Sequence, residues 1–174
     1  MIKRFSNLLP RMFMAMLVLW TAGALNAVAA DQPAAKPKDD VVKVVYHADF
    51  ADPRRFSAML TNIHNMVSTY QAELVDYDVR IVFVSWGIRF VTQDKLAGTP
   101  FAEDDALKQR RADLLARLAT LRDTQGVKLE VCGITREQIG LDEKKLIPGV
   151  TLVRSGVVRL VELQHQGFAY LKVE

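Results

Sequence analysis

Residues 41–74, VVKVVYHADFADPRRFSAMLTNIHNMVSTYQAEL, decide the fold. Val41-Val42-Lys43-Val44-Val45-Tyr46-His47 is a nearly continuous β-branched run, the pattern of a strand covered on both faces in a parallel sheet. Asp52 then offers a helix cap, and Pro53 is the residue type best suited to the first helical position. Beyond it Phe56, Met59, Leu60, Ile63, Met66, Val67, Tyr70 and Leu74 recur at helical spacing, so one apolar stripe can lie on the sheet. A covered strand followed at once by an amphipathic helix is the first half of a βαβ unit.

The pattern repeats outward from there. Val79–Val84 reads as a second strand, and Leu107, Leu114, Leu115, Leu118 and Leu121 mark a second long helix that stops at Gly126. Val127–Cys132 and Val150–Val153 are the third and fourth strands. Ser155 caps a helix carrying Val157, Leu160, Val161 and Leu163, with Gly167 as its stop. Phe168–Leu171 is a short last strand suited to an edge, and the sequence leaves its direction open. This alternation predicts an α/β fold, a three-layer α/β/α arrangement around a mainly parallel five-stranded sheet. Residues 86–105 interrupt it and read as a short helix plus an exposed loop. Their Glu103-Asp104-Asp105 cluster suits the N-terminus of the following helix better than a metal.

The first 40 residues have another character. Lys3 and Arg4, the apolar stretch Met12–Leu25 and the small-residue run Ala27-Val28-Ala29-Ala30 have the layout of a cleaved export signal over residues 1–30; an uncleaved anchor is the alternative. Residues 31–40, DQPAAKPKDD, read as a flexible leader, and residues 41–174 as one domain. Lys3, Arg4 and Arg11 are the only charged side chains of residues 1–30, so of the 23 basic residues 20 remain against 20 acidic ones. The domain is formally neutral, which removes nucleic acid as a partner and, once the signal is cleaved, a membrane surface. The expected location is periplasmic or otherwise exported.

In a parallel sheet all strands end at one edge, where ligands usually bind. That edge receives His47 and Asp49, Ser85 and Trp86, Cys132 and Gly133, then Arg154, Ser155 and Gly156. Cys132 is the single cysteine, so no intrachain disulfide can form and its thiol is the first residue to question. Thr135-Arg136-Glu137-Gln138 matches a capping box and would start a helix three residues after it, where the helix N-terminus and Arg136 would favour a thiolate. His47 would activate or orient that thiol. Trp86, Gly133, Thr135 and Ser155 are the candidate binding residues of the same rim. The other reading stays open for each: a small buried Cys132, a half-buried His47 with a local partner, a Trp86 that only packs, and a Ser155 that only caps. His64 and His165 read as solvated.

The spacing of the histidines and the cysteine does not suit zinc, and no phosphate-binding loop or Gly-x-Ser-x-Gly elbow is present, so neither a metal nor an organic cofactor is expected. VVYHADFADPRRF, NIHN, EVCGITREQIGLD, LIPGVTLVRSGV and LVELQHQGFAYLKV, in that order across residues 41–173, resemble the DsrE/DsrF-like sulfur-relay proteins. The resemblance implies a three-layer α/β/α fold, a homo-oligomer, and a cysteine that carries sulfur as a persulfide, here Cys132. The expected function is an exported sulfur carrier that exchanges sulfur with small sulfur species or an acceptor thiol protein. The alternative is a non-catalytic ligand-binding or assembly module of the same fold.

Overall fold

The computed structural model describes residues 41–174; the expected signal and leader lie outside them. Five strands form one sheet: β1 (Val42–Ala48), β2 (Tyr77–Phe83), β3 (Lys128–Cys132), β4 (Val150–Val153) and β5 (Ala169–Leu171). Their order is β4-β3-β2-β1-β5, and every neighbouring pair is parallel, which settles the direction of the last strand. The connecting helices are α1 (Pro53–Ala72), α2 (Asp105–Asp123), α3 (Gly133–Gln138) and α4 (Gly156–His165).

The order explains the layers. From β1 to β4 the chain steps one strand at a time in one direction, and with right-handed crossovers α1 and α2 fall on the same face. From β4 it returns past β1 to place β5 at the opposite edge, so α4 falls on the other face. The two cores follow. Phe56, Met59, Leu60, Ile63 and Val67 of α1 and Leu107, Leu114, Leu118 and Leu121 of α2 bury against Val44, Tyr46, Ile81, Phe83, Leu129 and Val131. Behind them Leu160, Leu163 and Phe168 cover Val45 and Val82, with Val84 packed alongside. Cys132 projects into this second, thinner layer.

Each long helix starts as its sequence dictates. The Asp52 carboxylate accepts from the Arg54 amide at 2.7 Å, with Pro53 in the first turn. Asp104 does the same for α2, accepting from the Leu107 amide at 2.8 Å. Glu103 instead holds Arg111 at 2.6 Å, so both carboxylates have structural partners. Leu74 departs from expectation. It lies beyond the end of α1, 93% exposed, with a left-handed φ of 53°, because the helix ends at Ala72 and Leu74 serves the turn into β2 instead of the apolar stripe.

Residues 86–105 also depart from an exposed loop. A 3-10 turn, Ser85–Phe90, is followed by a segment whose Ile88, Phe90, Val91 and Leu96 are buried in the main core. Arg89, 1% exposed, ties this segment to the Ala102 carbonyl and to Asp104, each at 2.9 Å. Gly87 is required there, since any Cβ would collide with the backbone carbonyl of Ala48.

Candidate functional site

Cys132 is the last residue of β3 and at the same time the N-cap of α3, with extended angles of φ −67° and ψ 117°. The capping box expected at Thr135 is therefore corrected: the cap lies three residues earlier, at Cys132, α3 begins at Gly133, and Thr135 lies within its first turn. The physical reason is the close approach of β4. A Cβ on Gly133 would stand 3.0 Å from the Val153 carbonyl oxygen and 3.3 Å from that of Arg154, so the glycine lets the helix start directly against the neighbouring strand.

The thiol is 3% exposed. Burial by itself pushes its pKa up. Hydrogen bonding from the Gly156 amide, the Thr135 hydroxyl and the Thr135 and Ile134 amides outweighs that, and the thiol lies below its ordinary value. The donors come from two helix starts. Ile134 and Thr135 bring first-turn amides of α3, which have no partner inside the helix, and Gly156 brings the first amide of α4. The sulfur thus sits in a small recess at the end of the sheet whose donors favour its anionic form.

Gly156 makes this approach possible. A Cβ there would meet Val84 Cγ2 at 2.5 Å and Cys132 Cβ at 3.1 Å. Ser155 serves as the cap of α4, its hydroxyl 3.4 Å from the Val158 amide. The Thr135 hydroxyl is oriented from the other side. Its oxygen accepts the Ser85 amide proton at 3.1 Å, which leaves its own proton free to point at the sulfur. Ser85 holds a left-handed φ of 51°, a conformation that costs a non-glycine residue on the order of 1 kcal/mol.

Of the sequence-derived candidates, Cys132, Gly133, Thr135 and Ser155 share this corner. His47 does not join them. It projects from the same face of the sheet, but β2 lies between β1 and β3, a separation of roughly 10 Å at the usual strand spacing. Its Nδ1 is 2.9 Å from the Tyr170 hydroxyl and its Nε2 is 3.9 Å from Asp49. Arg136 donates to the Leu141 carbonyl at 2.8 Å and pairs with Glu137 at 3.4 Å, so its guanidinium serves the far end of α3. Trp86 packs edge-on against Phe101 with ring centres 5.2 Å apart and Arg89 above it. Gly156 and Ser85 were recognisable only as members of the strand-end rim; no local pattern announces a glycine that a strand must touch or a serine with positive φ.

Beside the sulfur lies an open groove of about 590 Å³, lined by Ile134, Val153, Arg154, Ser155, Val158, Arg159 and Glu162. Below it, Glu130 is buried two residues before Cys132 on the same face. Its carboxylate takes Arg159 of α4 through two hydrogen bonds of 2.7 and 3.1 Å, and Arg80 of β2 at 2.8 Å. Burial pushes the Glu130 pKa up, but Arg159 and Arg80 together bring it below the ordinary carboxylate range.

The model of the DsrE/DsrF-like family matches residues 39–173. The chain belongs to this family. Among solved structures, a protein of unknown function from Methanobacterium thermoautotrophicum is 26% identical, covering 75% of this chain and 98% of its own, with a TM-score of 0.56. The ychN protein of E. coli is 18% identical, covering 76% of this chain and 99% of its own, with a TM-score of 0.43. No curated protein matches the chain. The fold is the α/β fold of this sulfur-relay type of family, with Cys132 at a strand end in the second layer. Among the described residues no helix is long and apolar enough to cross a membrane.

Proposed function

We propose that this protein is an exported sulfur carrier in which Cys132 holds sulfane sulfur as a persulfide. The observation that supports this most is the donor set around the single cysteine: three amides and a hydroxyl favour an anionic sulfur at a residue that is itself buried. The Cys132 thiolate attacks the outer sulfur of thiosulfate or a polysulfide. A sulfur–sulfur bond forms to Cys132, the donor's own sulfur–sulfur bond breaks, and sulfite or the shortened polysulfide leaves with the electron pair. The same donors favour the persulfide until an acceptor thiolate attacks its outer sulfur; the acceptor's sulfur–sulfur bond forms, the one to Cys132 breaks, and Cys132 leaves as the thiolate that those donors stabilise. Neither a metal nor an organic cofactor enters this scheme. His47 and Arg136 have no direct part in it. Trp86 borders the site at most, while Gly133, Thr135 and Ser155 shape the recess.

The proposal includes export with loss of residues 1–30 and assembly as a homo-oligomer. Ile134, Val157, Val158 and Val161 are exposed beside the groove and offer an apolar face for self-association. Light scattering on the exported protein tests this; a monomer at micromolar concentration would remove the assembly claim.

Sulfur carrying is tested by intact mass after exposure to thiosulfate or polysulfide. The expected result is a gain of about 32 Da that reductant removes and that Cys132→Ser lacks. The same spectrum reads the absence of residues 1–30. If wild-type Cys132 gains nothing, or the Cys132→Ser variant gains as much, sulfur carrying is wrong and the groove becomes the place to seek a ligand.

A further inference from the structure

Glu130 has no role in the chemistry proposed above, yet it is a carboxylate 4% exposed in the layer that houses the sulfur. A buried charge of this kind is retained only with close partners. Its partners are arranged in a way that bears on Cys132. Arg159 stands three residues after Gly156, almost one helical turn, and its fork grips both Glu130 oxygens at 2.7 and 3.1 Å. Glu130 in turn precedes Cys132 by two residues on the same strand face. The ion pair therefore ties the first turn of α4 to the end of β3, beside the point where Gly156 meets the sulfur. Arg80, itself held by Asp78 at 2.7 and 3.0 Å, anchors the carboxylate from β2.

We infer that Glu130 is a positioning residue for Cys132: by gripping Arg159 it docks the N-terminus of α4 on β3 and keeps the Gly156 amide aimed at the sulfur. Besides this ion pair, this end of the helix is held by the close backbone packing of Gly156 on Val84 and Cys132, and no large apolar side chain of its first turn is buried. The apolar anchors, Leu160 and Leu163, lie further along α4, whereas Val157, Val158 and Val161 face solvent. The charged and titratable groups on this face are Lys43 and His47 of β1, Asp78 and Arg80 of β2, Lys128 and Glu130 of β3, and Arg159 and Glu162 of α4. Arg154 stands exposed at the end of β4, and Arg136 of α3 is occupied by Leu141 and Glu137.

Direct charge and positioning predict opposite signs, which makes the idea testable. A carboxylate near a thiol opposes the thiolate, so if Glu130 acted only through its charge, Glu130→Gln would lower the pH at which Cys132 becomes reactive. If it acts by positioning, the same change frees α4, weakens the Gly156 donor and raises that pH. The experiment is the alkylation rate of Cys132 by iodoacetamide against pH in the full exported chain. The midpoint is the quantity to compare, since the limiting rate also reflects how readily the buried thiol opens.

Glu130→Gln is expected to raise the midpoint by half a unit or more, about a threefold loss of thiolate below the midpoint. The double variant Glu130→Gln with Arg159→Gln removes the pair without changing net charge and serves if the single variant does not fold. It is expected to raise the midpoint by the same amount. A midpoint that falls in the single variant, or one that stays unchanged in the double, overturns the inference. The inference concerns the same cysteine as the proposed sulfur carrier but is read separately. A raised midpoint in a protein that never gains 32 Da would sink sulfur carrying and leave the positioning role standing, and normal loading with an unmoved midpoint would do the reverse.

Discussion

At Cys132 four donors overturn the effect of burial, and the one that belongs to a side chain, the Thr135 hydroxyl, can be removed by itself. The Thr135 hydroxyl is a directed donor because the Ser85 amide already occupies its oxygen. Thr135→Val removes that donor and leaves a backbone amide without its acceptor, so the alkylation midpoint of Cys132 should rise and the protein should lose on the order of 1–3 kcal/mol in urea unfolding. Thr135→Ser keeps both hydrogen bonds and should restore the midpoint. Equal midpoints for the valine and serine variants would show that the hydroxyl contributes nothing to the sulfur.

His47 is the opposite case, a residue that sequence places at the right edge and structure places two strands away. Burial lowers its pKa below the ordinary histidine value of about 6.5, with Asp49 opposing and Lys172 adding to the effect. The folded protein therefore resists protonation of His47, while the unfolded chain accepts the proton at the ordinary value. Its contribution to stability is complete above about pH 6.5 and declines as pH falls through 6.5 toward the folded value. Urea midpoints should drop between pH 7.5 and 5.5 for the wild type and drop less for His47→Gln. Equal drops would mean that His47 does not titrate with folding.

At the scale of elements, the start of α4 is the critical join. Gly156→Ala puts a methyl carbon 2.5 Å from Val84 Cγ2 and 3.1 Å from Cys132 Cβ, so the helix must shift outward. A loss of about 1–3 kcal/mol is expected from overpacking, together with a raised Cys132 midpoint. Ser155→Ala removes only the cap and should cost about 1 kcal/mol with a small change at the sulfur. Thermal unfolding and alkylation of the two variants separate cap from contact; a Gly156→Ala protein as stable and as reactive as wild type would refute the close-packing argument.

These elements also show what a chain reveals before it is folded. Strands and long helices were readable because β-branched runs, helical periodicity and caps such as Asp52, Asp104 and Ser155 are local signals. Cys132 could be singled out because it is the single cysteine and ends a strand. The start of α3 was misplaced because the true cap is Cys132, a residue outside the usual capping set, and because Gly133 is needed for a neighbour 20 residues away, the Val153 carbonyl. The Glu130–Arg159 pair was hidden for the same reason: neither residue carries a local pattern, and their meeting depends on α4 crossing to the second face.

For the whole molecule, the two faces of the sheet are unequally protected. One carries α1 and α2 over a continuous core that includes Phe56, Phe83, Phe90 and Leu118, all nearly inaccessible. The other is covered by the ten residues of α4, and beside it the edge strand β5 has three residues that are all exposed. Regions with few buried apolar contacts open at lower free energy than the global transition, so α4 and β5 should form the weaker cooperative unit. Cys132 lies under the start of that unit, which gives a buried thiol a route to solvent without unfolding the main core. Native-state hydrogen exchange by mass spectrometry should therefore show peptides of α4 and β5 exchanging well before those of α1, α2 and β1–β3. Leu118→Ala, at the centre of the larger core, should reduce global stability by about 2–5 kcal/mol. Because opening of α4 leaves that core intact, the same variant should barely alter the gap in stability between the native state and the opened form, and Cys132 alkylation at high pH should keep its wild-type rate. If α4 instead exchanges only with global unfolding, access to Cys132 follows the stability of the whole domain, and Leu118→Ala should accelerate alkylation in proportion to the stability it removes.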